Sequence, residues 1–271
     1  MTARAEGIVP TAGVDNLTKV ILVGLVAGFL SGLFGVGGGI LIVPALVVVL
    51  GMDQRLAHGT SLAAIIPIAI SGTVGYSLDG SIDWVAAVAL VLGSATIGAV
   101  VGTHLLHVVP RRGLAIGFAV VLLLTGLRLV LDNSDGTGRG DLTVAMLVGF
   151  LLVGVVAGTL AGLLGVGGGI VMVPAMVVLF GISAVVAKGT SLAVIIPTAL
   201  VATRRNAKRS NVDLRVAVVV GLAGVASSFG ASQISLGLDE QVSNRLFAAL
   251  LAVIAVKMGV DELRRPDDPV A

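Results

Sequence analysis

The stretch Gly32-Leu33-Phe34-Gly35-Val36-Gly37-Gly38-Gly39-Ile40 runs on to Val43-Pro44-Ala45, and it occurs twice. It returns 130 residues later as Gly162-Leu163-Leu164-Gly165-Val166-Gly167-Gly168-Gly169-Ile170, running on to Val173-Pro174-Ala175. Residues 31–70 and 161–200 share 24 of 40 positions without a gap. No helix is comfortable through such a run, because each glycine costs about 1 kcal/mol relative to alanine in a helix interior. The chain is therefore a duplication, and each copy carries a break at the same place.

Composition says what surrounds the break. The chain is 56% hydrophobic and 12% charged, with mean hydropathy +1.11. A water-soluble surface needs about a quarter charged residues, so this chain cannot cover itself against water. Runs such as 84–106 and 142–164 reach the roughly 20 residues that cross a bilayer core. The 38 glycines suit close helix packing in lipid. The reading is an all-α integral membrane protein. With no cysteine, thiol catalysis, disulfides and zinc-thiolate sites are excluded. His58, His104 and His107 have no carboxylate near them in sequence and do not make a metal site. No cofactor is expected.

Five apolar segments fall in each copy, about ten in total. They cover roughly 17–35, 39–51, 59–76, 84–106 and 113–131, then 142–165, 169–181, 189–203, 214–233 and 242–260. The division is an N-terminal tail (1–16), a first repeat (17–131), a polar linker (132–141), a second repeat (142–260) and a C-terminal tail (261–271). Leu17–Phe34 reads as a retained first helix, since the residues before it lack a signal-peptide pattern. Beyond the third segment Asp83 still matches Asp213, but the later glycines align only with a slip of about two residues. An odd number of crossings per repeat predicts that the two repeats are inverted relative to each other. Alternating sides collects Arg4, Lys19, Arg55, Arg111, Arg112, Arg204, Arg205, Lys208, Arg209, Arg264 and Arg265 on one face. The other receives mainly Arg128, Arg139, Lys188 and Arg245. The positive-inside rule then puts both termini in the cytoplasm.

The breaks carry the candidate chemistry. A short helix from Ile40 to Leu50 spans about 16 Å, half the hydrocarbon core. Unwound backbone at that depth needs protein or a water-filled cavity around it. The amides of Gly37, Gly38 and Gly39, and of Gly167, Gly168 and Gly169, would stand at helix N-termini, where an anion is favoured. Pro44 falls in the first turns of the short helix, and Pro67 and Pro197 predict kinks. Further helix starts are expected at Gly59-Thr60-Ser61 and Gly189-Thr190-Ser191, whose hydroxyls would cap the helix or hold a ligand. Inversion would bring these four N-termini together near the midplane. Lys188, standing where the first repeat has His58, is either a ligand for the anion or a loop lysine reaching the interface. The bland alternative for the glycines is tight helix packing. No carboxylate interrupts the apolar segments, which fits movement of an anion down the membrane potential better than a cation pump. A nucleotide loop is excluded, because no Gly-Lys-Ser/Thr ending and no βαβ context are present.

The doubled glycine motif with its downstream Gly-Thr-Ser-Leu resembles the sulfite exporter TauE/SafE family of membrane permeases, over roughly 17–260. The family motif maps onto Gly35, Gly37, Gly38, Gly39 and Pro44, and onto Gly165, Gly167, Gly168, Gly169 and Pro174. The resemblance implies a multi-pass protein of the bacterial inner membrane that moves sulfur-containing anions such as sulfite, sulfoacetate and related organosulfonates. The partners expected are a small anion and the lipid bilayer, without nucleic acid. A passive anion channel and a non-transporting scaffold are the alternatives. An enzyme is not expected, because no nucleophile–base pair stands out.

Overall fold

A computed structural model describes residues 14–94, 120, 122–127, 129–131, 143–164 and 167–263. The expected linker 132–141, His104 and His107, Gly165, and most of segments 84–106 and 113–131 lie outside the described residues. So do the N-terminal 13 residues and residues 264–271. Every regular element among the described residues is helical.

The first half contains α1 (Val14–Phe34), α2 (Gly39–Leu50), α3 (Gln54–Leu78) and α4 (Trp84–Val91). The second contains α5 (Val144–Leu164), α6 (Gly169–Phe180), α7 (Ala184–Ala207) and α8 (Leu214–Gly237), followed by α9 (Glu240–Leu263). Further helical residues lie between 120 and 131. The helices α1, α3, α5, α7 and α8 are long and apolar enough to cross a membrane. In contrast, α2 and α6 have 12 residues each, about 18 Å, and cannot cross a 30 Å core as straight helices.

The helices are apolar on their outer surfaces as well as inside. Leu22, Leu152, Leu222 and Val253 are all more than half exposed. Exposed apolar area on this scale is intolerable in water and ordinary in lipid.

Packing repeats with the same offset as the sequence. Helices α1, α2 and α3 pack on one another, as do α5, α6 and α7. The fourth helix of each half crosses over: α8 lies on α1 and α3, and α4 lies on α5 and α7. At the centre α3 packs against α7. Small residues allow the crossing. Gly24 and Gly28 of α1 sit against the carbonyls of Val220 and Gly224, while Gly154 and Gly158 of α5 sit against those of Leu90 and Ser94. Each of these positions is displaced by 130 from its counterpart in the other half, so the slip expected in the fourth segments is absent as far as Ser94 and Gly224. Backbones that approach this closely gain dispersion contacts that replace the missing hydrophobic drive in lipid.

Two helix starts differ from expectation. Asp53 caps α3 by accepting from the Arg55 amide at 2.9 Å, and Ser183 caps α7 by accepting from the Val186 amide at 3.4 Å. Both helices begin about five residues before Gly59 and Gly189. Thr60, Ser61, Thr190 and Ser191 are therefore helix-interior residues and not caps, so the glycine-led helix N-termini are two, those of α2 and α6, and not four. The first helix begins at Val14, three residues before the expected Leu17.

Candidate functional site

Both expected glycine breaks are present. The chain leaves α1 at Phe34, passes through left-handed conformations at Gly35, Gly37 and Gly38 (φ 70°, 84° and 72°), and starts α2 at Gly39. The second break does the same through Gly167 and Gly168 (φ 85° and 79°) before α6. Left-handed residues other than glycine cost roughly 1–2 kcal/mol each, which explains the residue type at Gly38 and Gly168. The carbonyl of Gly38 accepts from Leu41 and Ile42, and that of Gly168 from Val171 and Met172. Among the described residues no turn bond takes the amides of Gly38, Gly39, Gly168 or Gly169. These are the orphan donors of a helix N-terminus, and all four glycines are buried.

The two breaks meet. A Cβ placed on Gly169 would lie 2.7 Å from the Gly35 carbonyl oxygen, 2.9 Å from Val36 Cα and 2.9 Å from Ser191 Oγ. The start of α6 thus faces the first break and one hydroxyl of α7. Ser191 is wholly buried, and its Oγ has no hydrogen-bond partner among the described residues. The equivalent Ser61 is also buried but is engaged. A buried donor left unmade costs about 1–3 kcal/mol, and this hydroxyl stands beside Gly169, whose amide is one of the orphan donors.

Thr60 and Thr190 have a different task. Thr60 Oγ1 accepts from the amide of Asp213 at 2.9 Å, and Thr190 Oγ1 accepts from the amide of Asp83 at 2.9 Å. Each aspartate also caps its own helix: Asp83 accepts from Val85 and Ala86, and Asp213 from Arg215 and Val216. The neighbouring glycines leave room for the docking loops, with the Asn211 carbonyl against Gly59 and the Ser81 carbonyl against Gly189. The Gly-Thr pairs are docking points for the other half of the molecule. Asp83 and Asp213 match in sequence, yet their partners are invisible there.

Lys188 lies inside α7, not in a loop, and is 0% exposed. Its Nζ donates to Ser243 Oγ at 2.6 Å and to Ser235 Oγ at 3.4 Å, and sits 5.7 Å from the centre of the Phe247 ring. The interfacial reading of this lysine is therefore overturned: a fully buried ammonium does not reach the bilayer surface. Its backbone presses on Gly35, while its ammonium is directed to α8 and α9. His58, its counterpart, is only half-buried. No group of three or more potential metal-ligating side chains occurs among the described residues.

The arrangement is that of a multi-pass helical membrane protein with two interrupted helices meeting at its centre. Comparison with known proteins agrees. The chain matches the family described as sulfite exporter TauE/SafE over residues 4–129 and 150–270, and it belongs to that family. It is 27% identical over 255 residues to a probable membrane transporter protein of Xylella fastidiosa strain 9a5c, covering 90% of this chain and 95% of that one. It is 25% identical over 268 residues to the probable membrane transporter protein YunE of Bacillus subtilis, covering 89% and 94%. A third relative, the probable membrane transporter protein MJ0441 of Methanocaldococcus jannaschii, is 29% identical over 165 residues, covering 58% and 60%.

Proposed function

We propose that this membrane transporter exports a small sulfur-containing oxyanion, such as sulfite or an organosulfonate, by alternating access. The observation that carries the reading is the junction of the two breaks, where Gly169, Gly35–Val36 and the unpartnered Ser191 hydroxyl converge. An anion there takes hydrogen bonds from the amides of Gly168 and Gly169 and from Ser191, with the α6 dipole favouring its charge. Gly37, Gly38 and Gly39 supply the corresponding N-terminus of α2. Thr60 and Thr190 act differently, holding the starts of the crossing helices α8 and α4, and Ser61 is the buried, engaged counterpart of Ser191. Lys188 belongs to the site through its backbone contact with Gly35.

Inverted repeats supply the two states that alternating access requires. Three features support that reading: the 130-residue offset of the packing, the crossing of α4 and α8, and the charge distribution. The last turn of α7 bears Arg204 and Arg205, and the loop after it docks on Gly59 and Thr60 of α3, the helix whose first turn carries Arg55. Those residues share the positive face counted from sequence, and on this reading both termini lie in the cytoplasm of a bacterial inner membrane. Export then follows the potential, worth about 2.3 kcal/mol per charge per 100 mV.

Flux of sulfite and of sulfoacetate in proteoliposomes, with an imposed potential and with or without a pH gradient, tests the proposal. Saturable flux that follows the potential is the expected result. Non-saturating flux would mean a passive channel, and no flux of either anion would overturn the substrate class.

A further inference from the structure

The two breaks are equivalent in backbone but not in what holds them. The carbonyls at the end of α1 are orphan acceptors, and on the first break they are taken by side chains from distant helices. Tyr76 of α3 donates from its hydroxyl to the Gly32 carbonyl at 2.8 Å. Ser235 of α8 donates to the Leu33 carbonyl at 3.2 Å. Ser235 in turn accepts from Lys188, which also donates to Ser243 of α9. Phe34 stacks on Phe247 at 5.8 Å, and Phe247 lies beside the Lys188 ammonium. Tyr76, Lys188, Ser235 and Phe247 are 0% exposed, and Ser243 is 2% exposed. The network is continuous from the end of α1, through α8 and α7, to α9.

The second half carries other residues at the two positions that can be compared. Where the first half has Tyr76, the second has Asn206, whose amide donates to Ala202 within its own helix at 3.0 Å. Where the second half has Lys188, the first has the half-buried His58.

We propose that Lys188, with Ser235, Ser243 and Tyr76, is a positioning network that makes the first break the fixed wall of the anion site. Lys188 acts through Ser235 and Ser243 and does not touch the anion. The backbone of Lys188 against Gly35 and the Ser191 hydroxyl, one turn further along α7 on the same face, then stand at a set distance from the first break. Hydrogen bonds among buried groups face no competition from water, and a network of them is stiff when every member is satisfied. This inference rests on the transport reading for its kinetic consequence but not for its structural one, so the two are tested separately.

Hydrogen exchange of the purified full chain in lipid nanodiscs reads the structural part without any substrate. Lys188→Met and Ser243→Ala are expected to raise exchange in the 32–41 segment at least tenfold while leaving 162–171 unchanged. Ser243→Thr, which keeps the hydroxyl, restores protection. Unchanged exchange in 32–41, or an equal rise in both segments, overturns the proposal. Tyr76→Phe, which keeps the ring and removes only the hydroxyl, gives an independent variant should Lys188→Met fail to fold. In sulfite flux the same variants raise KM about tenfold with less than a threefold change in maximal rate, and Ser243→Thr returns KM to the wild-type value. A fall in maximal rate at constant KM would mean that the network serves stability alone. If wild-type protein moves no sulfite while exchange behaves as expected, the substrate reading fails and the positioning network stands.

Discussion

Place the two halves of this molecule side by side and most positions coincide. Gly38 and Gly168 start the short helices in the left-handed conformation, and Gly51 and Gly181 end them likewise. Thr60 and Thr190 each hold the aspartate cap of the opposite half's crossing helix. These matched pairs build the frame, and they work because each half finishes the other: α8 completes the first three-helix group and α4 the second. The mismatches cluster near one break. Lys188 against His58, Tyr76 against Asn206, and an unpartnered Ser191 against an engaged Ser61 give the first break a polar brace and give α7 a free hydroxyl beside Gly169. Symmetry in this chain supplies the scaffold, and these departures from symmetry place polar residues beside the first break.

Steric filling of the breaks is the severest test of that comparison. Gly38→Val and Gly168→Val each force a β-branched side chain into a left-handed turn, 2.7 Å and 2.9 Å from the carbonyls of Ala27 and Ala157. Both are expected to reduce sulfite flux to under a tenth of wild type while membrane insertion, read by fractionation and monodispersity, persists. Normal transport in both variants would remove the breaks from the site. Loss in only one would show that the short helices α2 and α6 are not equivalent parts of the path.

Ser191→Ala should separate the halves at the level of binding. A hydrogen bond to a charged ligand contributes about 1.5–3 kcal/mol, so KM for sulfite is expected to rise about tenfold or more. Ser61→Ala, on the same scale, should change KM less than threefold. Equal effects would return the site to a symmetric one shared by both serines.

The smallest effects belong to the docking points. Thr60→Val and Thr190→Val remove the acceptor for one half-buried amide each, costing about 1 kcal/mol. Each is expected to lower the melting temperature of detergent-solubilised protein by a few degrees, and by similar amounts. A large difference between the two would mean that the halves are joined unequally. Asp83→Ala and Asp213→Ala, which remove a helix cap worth about 1 kcal/mol, should again behave as a matched pair.

Much of this was legible in the residues. The glycine runs announced both breaks, because left-handed backbone is a property of single residues and only glycine adopts it without strain. The starts of α3 and α7 lie at Asp53 and Ser183, not at Gly-Thr-Ser, because either kind of sequence can begin a helix and only one cap is used. Both are good cap residues in plain sight, six positions upstream of Gly59 and Gly189. The polar brace had no such signal. Ser235 and Ser243 are two serines among several on apolar helices, and nothing local distinguishes a serine that meets a buried lysine from one that bonds its own helix.

By itself, then, the sequence determined the membrane environment, the duplication, the two breaks and the residue types that start the short helices. Each of these depends on hydropathy or backbone freedom summed over a few neighbouring residues. Only the tertiary structure decided that Thr60 meets Asp213 and Thr190 meets Asp83, 153 and 107 residues away. It also decided that Lys188 is buried against Ser235 and Ser243, 47 and 55 residues away. Those partners exist because α4 and α8 cross between the halves, and the direction of a crossing is set by how whole helices pack, which no short window of sequence contains.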